Sequence, residues 1–167
     1  MYIPKHFLVE DRSMIYDFID NNSFGILFSM QDNCPQASHL PFLLDRDEGY
    51  LHGHFAKPND QWQYIQQQEV LIVFQGPHTY ISSSWYETNQ SVPTWNYVAV
   101  HAYGRIEIIE DLNDVVRSLE KLVAKYEDPS STYKLDQTNK SFIEGLSRGI
   151  VAFKMKVDRL EGKWVNG

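Results

Sequence analysis

The chain has 167 residues, 43% hydrophobic and 22% charged, the balance of one globular domain over residues 1–167 and not of a disordered segment. A formal net charge of −7 and the absence of any lysine or arginine run oppose direct DNA or RNA binding. One cysteine, Cys34, excludes an internal disulfide, and neither a signal-like apolar core nor a membrane-length apolar stretch is found, so the expectation is a soluble cytoplasmic protein.

In chain order, residues 10–21 place Met14, Ile15, Phe18 and Ile19 at helical spacing, with Asp11 or Ser13 as cap. Residues 24–29 form a short apolar strand. Residues 36–44 and 50–56, joined by the turn Asp45-Arg46-Asp47-Glu48-Gly49, read as a hairpin that sets His39 to Phe42 beside His52 to Ala56. Pro58-Asn59-Asp60 signals a helix start, and 61–67 reads as a short polar helix. The apolar run Val70 to Phe74 and the segment Thr79 to Ser83 read as two strands separated by Gly76-Pro77. Residues 94–109 predict a long strand bent at Gly104. The clearest helix is 111–126, with Asp111 as N-cap and a stripe from Leu112 to Tyr126. A helix over 138–147 is expected to turn Phe142, Ile143 and Leu146 inward. Alternation of Val151, Phe153, Met155 and Val157 with Ala152, Lys154 and Lys156 closes the chain with a half-buried strand. Together this is an α+β, mainly β fold: an antiparallel barrel of six or seven strands, closed or split, with peripheral helices.

The candidate chemistry gathers around the first hairpin. His52 and His54 lie two apart on a strand and share a face. They can contact a ligand phosphate or backbone groups, or hold a metal with His39 or His101 as third ligand. Gly53 between them permits close approach to the backbone. Lys57 and Asn59 open a short helix, where unpaired amides favour an anion, so a phosphate is expected there. Ser82-Ser83-Ser84-Trp85-Tyr86 offers hydroxyls and aromatic rings but no nucleophile elbow, which disfavours a serine hydrolase. Trp95 and Tyr97 share a face, available to core, dimer or ligand.

Several ordered motifs resemble the PaiB family of FMN-binding negative transcriptional regulators. They are Met1-Tyr2-Ile3-Pro4-Lys5-His6-Phe7, His39-Leu40-Pro41, the run from His52 to Trp62, Phe74 to Ser82 with Ser84-Trp85-Tyr86, and Val92 to Tyr97 with Gly104. The resemblance runs to about residue 164, and family members continue past Gly162-Lys163-Trp164 into a polar tail. It implies an FMN-binding split barrel related to pyridoxamine-phosphate oxidases and flavin reductases, as a homodimer with flavin sites at the subunit interface. The implied flavin contacts are His39, Leu40, Pro41, His52, Gly53, His54, Lys57, Asn59, Trp62, Ser83, Trp85 and Trp95. The expected function is indirect negative regulation through flavin or a partner, since no helix-turn-helix is visible. The alternatives are a flavin-dependent oxidoreductase acting on a small acceptor, with His54 or His78 as first candidate proton donor, and a haem- or metal-binding relative.

Overall fold

Period-two burial along long strands organises the molecule, a computed structural model that describes residues 1–166. Strand β1 (Leu8–Val9) leads into helix α1 (Arg12–Asn21). Asp11 caps α1, its carboxylate accepting from the Ser13 and Met14 amides. Ile15, Tyr16 and Ile19 are buried, whereas Met14 faces solvent. β2 (Phe24–Gln31) and β3 (Cys34–Pro41) form a hairpin whose turn residues, Asp32 and Asn33, both have positive φ, the left-handed geometry that suits a tight reversal. β4 (Leu43–Asp45) and β5 (Tyr50–Ala56) form a second hairpin. After a 3₁₀ turn at Asp60–Gln63 come β6 (Glu69–Ile81), β7 (Thr94–Ile108), α2 (Leu112–Tyr126), α3 (Lys140–Ser147) and β8 (Ile150–Val165). No helix among the described residues is long and apolar enough to cross a membrane.

All strands pair antiparallel, in the order β3-β2-β6-β7-β8-β5-β4, with β1 added on β8. The sheet curls around Phe42, Phe55, Phe74 and Phe153, with Leu27, Leu51, Ile72, Val100 and Met155 filling the spaces between them. Phe42 meets Phe74 edge to face at 5.5 Å, and Phe55 lies 5.1 Å from Phe153. Curling brings β3 back beside β5 with no backbone ladder between them among the described residues, and this seam splits the barrel. Gln61 fills it. Its amide donates to Ser29 Oγ (2.8 Å) and to the carbonyls of Leu27 and Gln36 (both 3.4 Å), and its Oε1 accepts from Ser38 Oγ (2.6 Å).

The structure redraws four sequence expectations. The stretch 36–44 is two strands, because the chain turns at Phe42, whose amide donates to Ser23 O. β3 therefore pairs with β2, and Leu43, not a residue of the His39 segment, lies opposite His52. Val70 to Ser83 holds one bulged strand, its register shifting between Gln75 and His78, not two strands. The helix at 61–67 is a single 3₁₀ turn, because Asn59 and Gln61 draw that segment into the seam. On α3, Phe142 and Leu146 point outward, 65% and 58% exposed, because the short helix lies over β8 and α2 by its Ile143 side. The irregularity at Gly104 stands: the β7–β8 register shifts there.

Candidate functional site

Strand alternation decides what β5 presents. Leu51, Gly53 and Phe55 face the core, so Tyr50, His52 and His54 face outward together. Both imidazoles are half-buried, and neither has a hydrogen-bond partner among the described residues. Burial pushes His54 below its ordinary value near 6.5. It does the same to His52, with the Lys121 and Lys154 charges adding to the effect and Asp45 and Glu48 opposing it. At neutral pH both rings are uncharged and can donate or accept.

Gly53 answers to the core and not to a ligand. A Cβ there would lie 2.7 Å from Phe153 Cζ, so the glycine makes room for a buried ring. Leu40 is likewise a core residue. His39 is exposed on the outer face of β3, its ring 6.4 Å from that of Phe24, with the half-buried Pro41 facing Phe24 across the ladder.

The turn after β5 is internally satisfied. Asn59 Oδ1 accepts from the Gln61 amide (3.1 Å) and Nδ2 donates to Ser38 Oγ (2.8 Å). The Lys57 amide donates to Gly149 O (2.8 Å), the Asn59 amide to Ala56 O (2.9 Å), and Trp62 Nε1 to Lys57 O (3.1 Å). The amides expected to meet a phosphate are thus engaged, and Asn59 stitches the seam. The Lys57 ammonium remains, exposed and without an ion pair among the described residues.

Ser83, Trp85 and Trp95 sit elsewhere. Beyond Val73, β6 leaves β2, and beyond Tyr97 towards its N-terminal end, β7 leaves β8, so the two project as a ribbon. Trp95 lies on it, 55% exposed, its ring 6.1 Å from His78 and 5.8 Å from Tyr80. Trp85 is 68% exposed in the loop at the tip, and the half-buried Ser83 hydroxyl donates to Ser91 O (3.3 Å). Among the described residues, none of the five main clefts brings these rings together with His54 and Lys57.

His52 alone of the expected set lines a cleft of about 490 Å³ between β5, β8 and α2. Tyr50, Lys121 and Lys154 share it, and sequence reasoning passed over all three. The i, i+4, i+7 spacing of Asp114, Ser118 and Lys121 on α2, opposite an outward strand face, was the available signal. A metal triad with His101 is ruled out by register. His101 pairs with Glu161 and His54 with Ala152, positions nine residues apart on β8, which is about 30 Å of strand. Among the described residues no group of three His, Cys, Asp or Glu is placed to hold a metal.

An antiparallel barrel left open along a seam defines the split-barrel class. The model of the family described as "Putative FMN-binding domain" matches residues 1–159. "Protease synthase and sporulation protein PAI 2" of Bacillus subtilis (strain 168) is 40% identical over 168 residues, covering 98% of this chain and 80% of that one. Among solved structures, the flavocytochrome Anf3 from Azotobacter vinelandii superposes with a TM-score of 0.76 at 12% identity, over 99% of this chain and 73% of that one. A FAD-binding protein from Mesorhizobium loti gives 0.58 at 16% identity, over 93% and 96%. The chain belongs to the PaiB family of FMN-binding split-barrel proteins, and FMN is the cofactor that membership assigns. The residues described fit it in two parts: the half-buried, unpartnered His54 imidazole and the Lys57 ammonium at the seam, and exposed indole faces on the ribbon.

Proposed function

We propose that this protein is a homodimeric FMN-binding regulator in which each flavin lies at the β3–β5 seam of one protomer and under the ribbon of its partner. The observation that carries the reading is the half-buried His54 imidazole with no hydrogen-bond partner, three positions before Lys57, which has no ion pair, both among the described residues. No side-chain nitrogen or oxygen among the described residues is both fully buried and unpartnered, so the His54 ring nitrogens are reachable from outside and can pair with a ligand. His39, His54 and the Lys57 ammonium would hold the phosphate and polar ring edge. Ser83, Trp85 and Trp95 of the second copy would cover the ring, since they do not reach the seam in their own protomer.

The outer sheet face supports a second copy. Phe24, Ile26, Phe28, Leu71 and Val73 share the face that carries His39, and Phe24 is 65% exposed. An apolar sheet face of that kind is stable when another surface covers it. Bound FMN supplies electron or hydride transfer, and the chain orients it and excludes water. Regulation is then indirect, through flavin redox state or a protein partner, because the net charge of −7 opposes contact with nucleic acid.

A visible spectrum of the purified protein with and without added FMN tests this. Saturable FMN binding with perturbed flavin bands, and a dimer by sedimentation, are expected. A Soret band, or a colourless monomer indifferent to FMN, sinks the reading. A gel shift showing tight, sequence-specific DNA binding at physiological salt would refute the indirect mode.

A further inference from the structure

Between β7 and β8 the chain leaves the sheet for an insert, residues 110–149, that carries α2 and α3. Its two ends are clamped side by side. Ile108 lies opposite Phe153 on the β7–β8 ladder, the Ile109 amide donates to Ala152 O (2.8 Å), and Gly149 O accepts from the Lys57 amide (2.8 Å). The span between those ends is lightly held. Among the described residues, Val115 is the one buried side chain of α2 and Ser147 the one of α3. α2 stands off the sheet, with clefts of about 490 Å³ and 370 Å³ between it and the outward side of β4 and β5, where Tyr50 and His52 lie. Helices this short are marginal in water without tertiary packing. What secures α2 is at its far end. Lys125 Nζ pairs with Asp20 Oδ1 of α1 at 3.2 Å, and the Tyr126 hydroxyl shares a hydrogen bond with the hydroxyl of buried Ser23. Asp20 and Asp17 also hold Arg46 of the β4–β5 turn, at 2.6 Å and 2.7 Å.

We propose that the α2–α3 insert is a lid over Tyr50 and His52, hinged at its clamped ends and latched to Asp20 and Ser23 through Lys125 and Tyr126. Opening breaks one ion pair and one hydrogen bond and exposes few buried side chains, so it costs far less than unfolding the barrel. The sheet stays whole, because the β7–β8 ladder closes beneath the insert. α3 moves with α2. Ile143 and Leu146 of α3, Leu119 and Val123 of α2, and Tyr133 and Leu135 of their connection line one shared apolar pocket, so the two helices form one unit. Closed, the lid screens the outward face of β5; open, it bares Tyr50 and His52 to solvent. The His52 ring registers the closed state: burial lowers its value first and the Lys121 charge of α2 second, which sets α2 close over that ring. The device does not depend on where the flavin binds.

Amide hydrogen exchange of the whole protein, followed by NMR at a series of low urea concentrations, tests this in the wild type and in two latch variants, Tyr126→Phe and Asp20→Asn. In the wild type the amides of α2 and α3 are expected to exchange through one shared opening, well before those of β6, β7 and β8. Their exchange should depend only weakly on urea, because a lid exposes little surface, whereas the strand amides should respond steeply. Each variant removes one latch contact and is expected to speed exchange in both helices by the same factor, about three- to tenfold. The response of α3 is the discriminating one, since α3 touches neither Asp20 nor Ser23 and fraying of the last turn of α2 would leave it unchanged. Helix amides as protected as the strands and equally steep in urea would overturn the proposal, for the insert would then open only with the barrel. So would latch variants that leave α3 at its wild-type rate.

Discussion

A single side chain can look like a ligand and be a rivet. Asn59 holds the 3₁₀ turn through its Oδ1 and the seam through its Nδ2, so it acts on the fold. Lys57, two positions earlier, has no hydrogen bond or ion pair from its ammonium among the described residues and is left to act on a ligand. Separating the two residues therefore separates stability from binding. Asn59→Ala is expected to lose about 1–2 kcal/mol of stability, the loss of a cap plus a partly buried hydrogen bond, in urea unfolding. Lys57→Ala is expected to unfold at the wild-type urea concentration and to bind FMN about tenfold more weakly. If the pattern is reversed, with Lys57 stabilising and Asn59 affecting only FMN, the assignment of roles given above is wrong. The sequence carried both residues in one run but not this division, because a capping asparagine and a phosphate-binding asparagine share the same spacing. The distinction depends on Ser38, twenty-one positions away in the chain.

At the scale of elements, what was legible follows from how local the cause is. The α1 and α2 caps depend on neighbours within one turn and stand in the structure, while of the α2 stripe Val115 is buried, Val116, Leu119, Leu122 and Val123 are half-buried, and Leu112 and Tyr126 are exposed. The break at Phe42 has no such local cause. It arises because the Phe42 amide finds Ser23 O, a partner outside its own segment. The outward turn of Phe142 and Leu146 is likewise decided by where α3 lands on β8, not by the pattern within α3. Gly104 is the intermediate case. A glycine in a strand hinted at an irregularity, and the structure supplies the reason: a Cβ there would sit 2.0 Å from the Lys156 carbonyl oxygen. The obstacle is backbone, so it cannot swing aside as a side-chain tip would. Gly104→Ala is thus expected to cost more than the ~1–3 kcal/mol of ordinary overpacking, and a lowered yield of folded protein with a broadened thermal transition should report it. Gly53→Ala, which meets the movable Phe153 ring, is expected to fall inside that range. Equal losses at the two sites would mean that β8 yields at Lys156.

For the molecule as a whole, the histidines set how stability responds to acid. His52, His54 and His101 are all held below the ordinary imidazole value, first by burial, with neighbouring positive charge adding to it at His52 and His101. In the unfolded chain the same three rings titrate near 6.5. Above that value both states carry neutral rings, and the full contribution to stability is present. As pH falls through 6.5 the unfolded chain takes up protons first, which favours unfolding, and the loss continues until the folded-state values are reached. Glu161 shifts the same way at lower pH: burial raises its value, but the Met1 ammonium and Arg159 outweigh this and hold it below the usual carboxylate range. Its contribution is lost only as pH drops further, so the two effects follow one another and do not cancel. The midpoint of thermal unfolding is therefore expected to fall steadily between about pH 7.5 and 5.5, in the range set by the imidazoles. The double variant His52→Gln, His54→Gln should flatten that slope, leaving the part due to His101. A midpoint that rises on acidification, or a slope untouched by the double variant, would mean that the imidazoles of β5 are partnered in solution, and the case for a ligand at the seam would lose its footing.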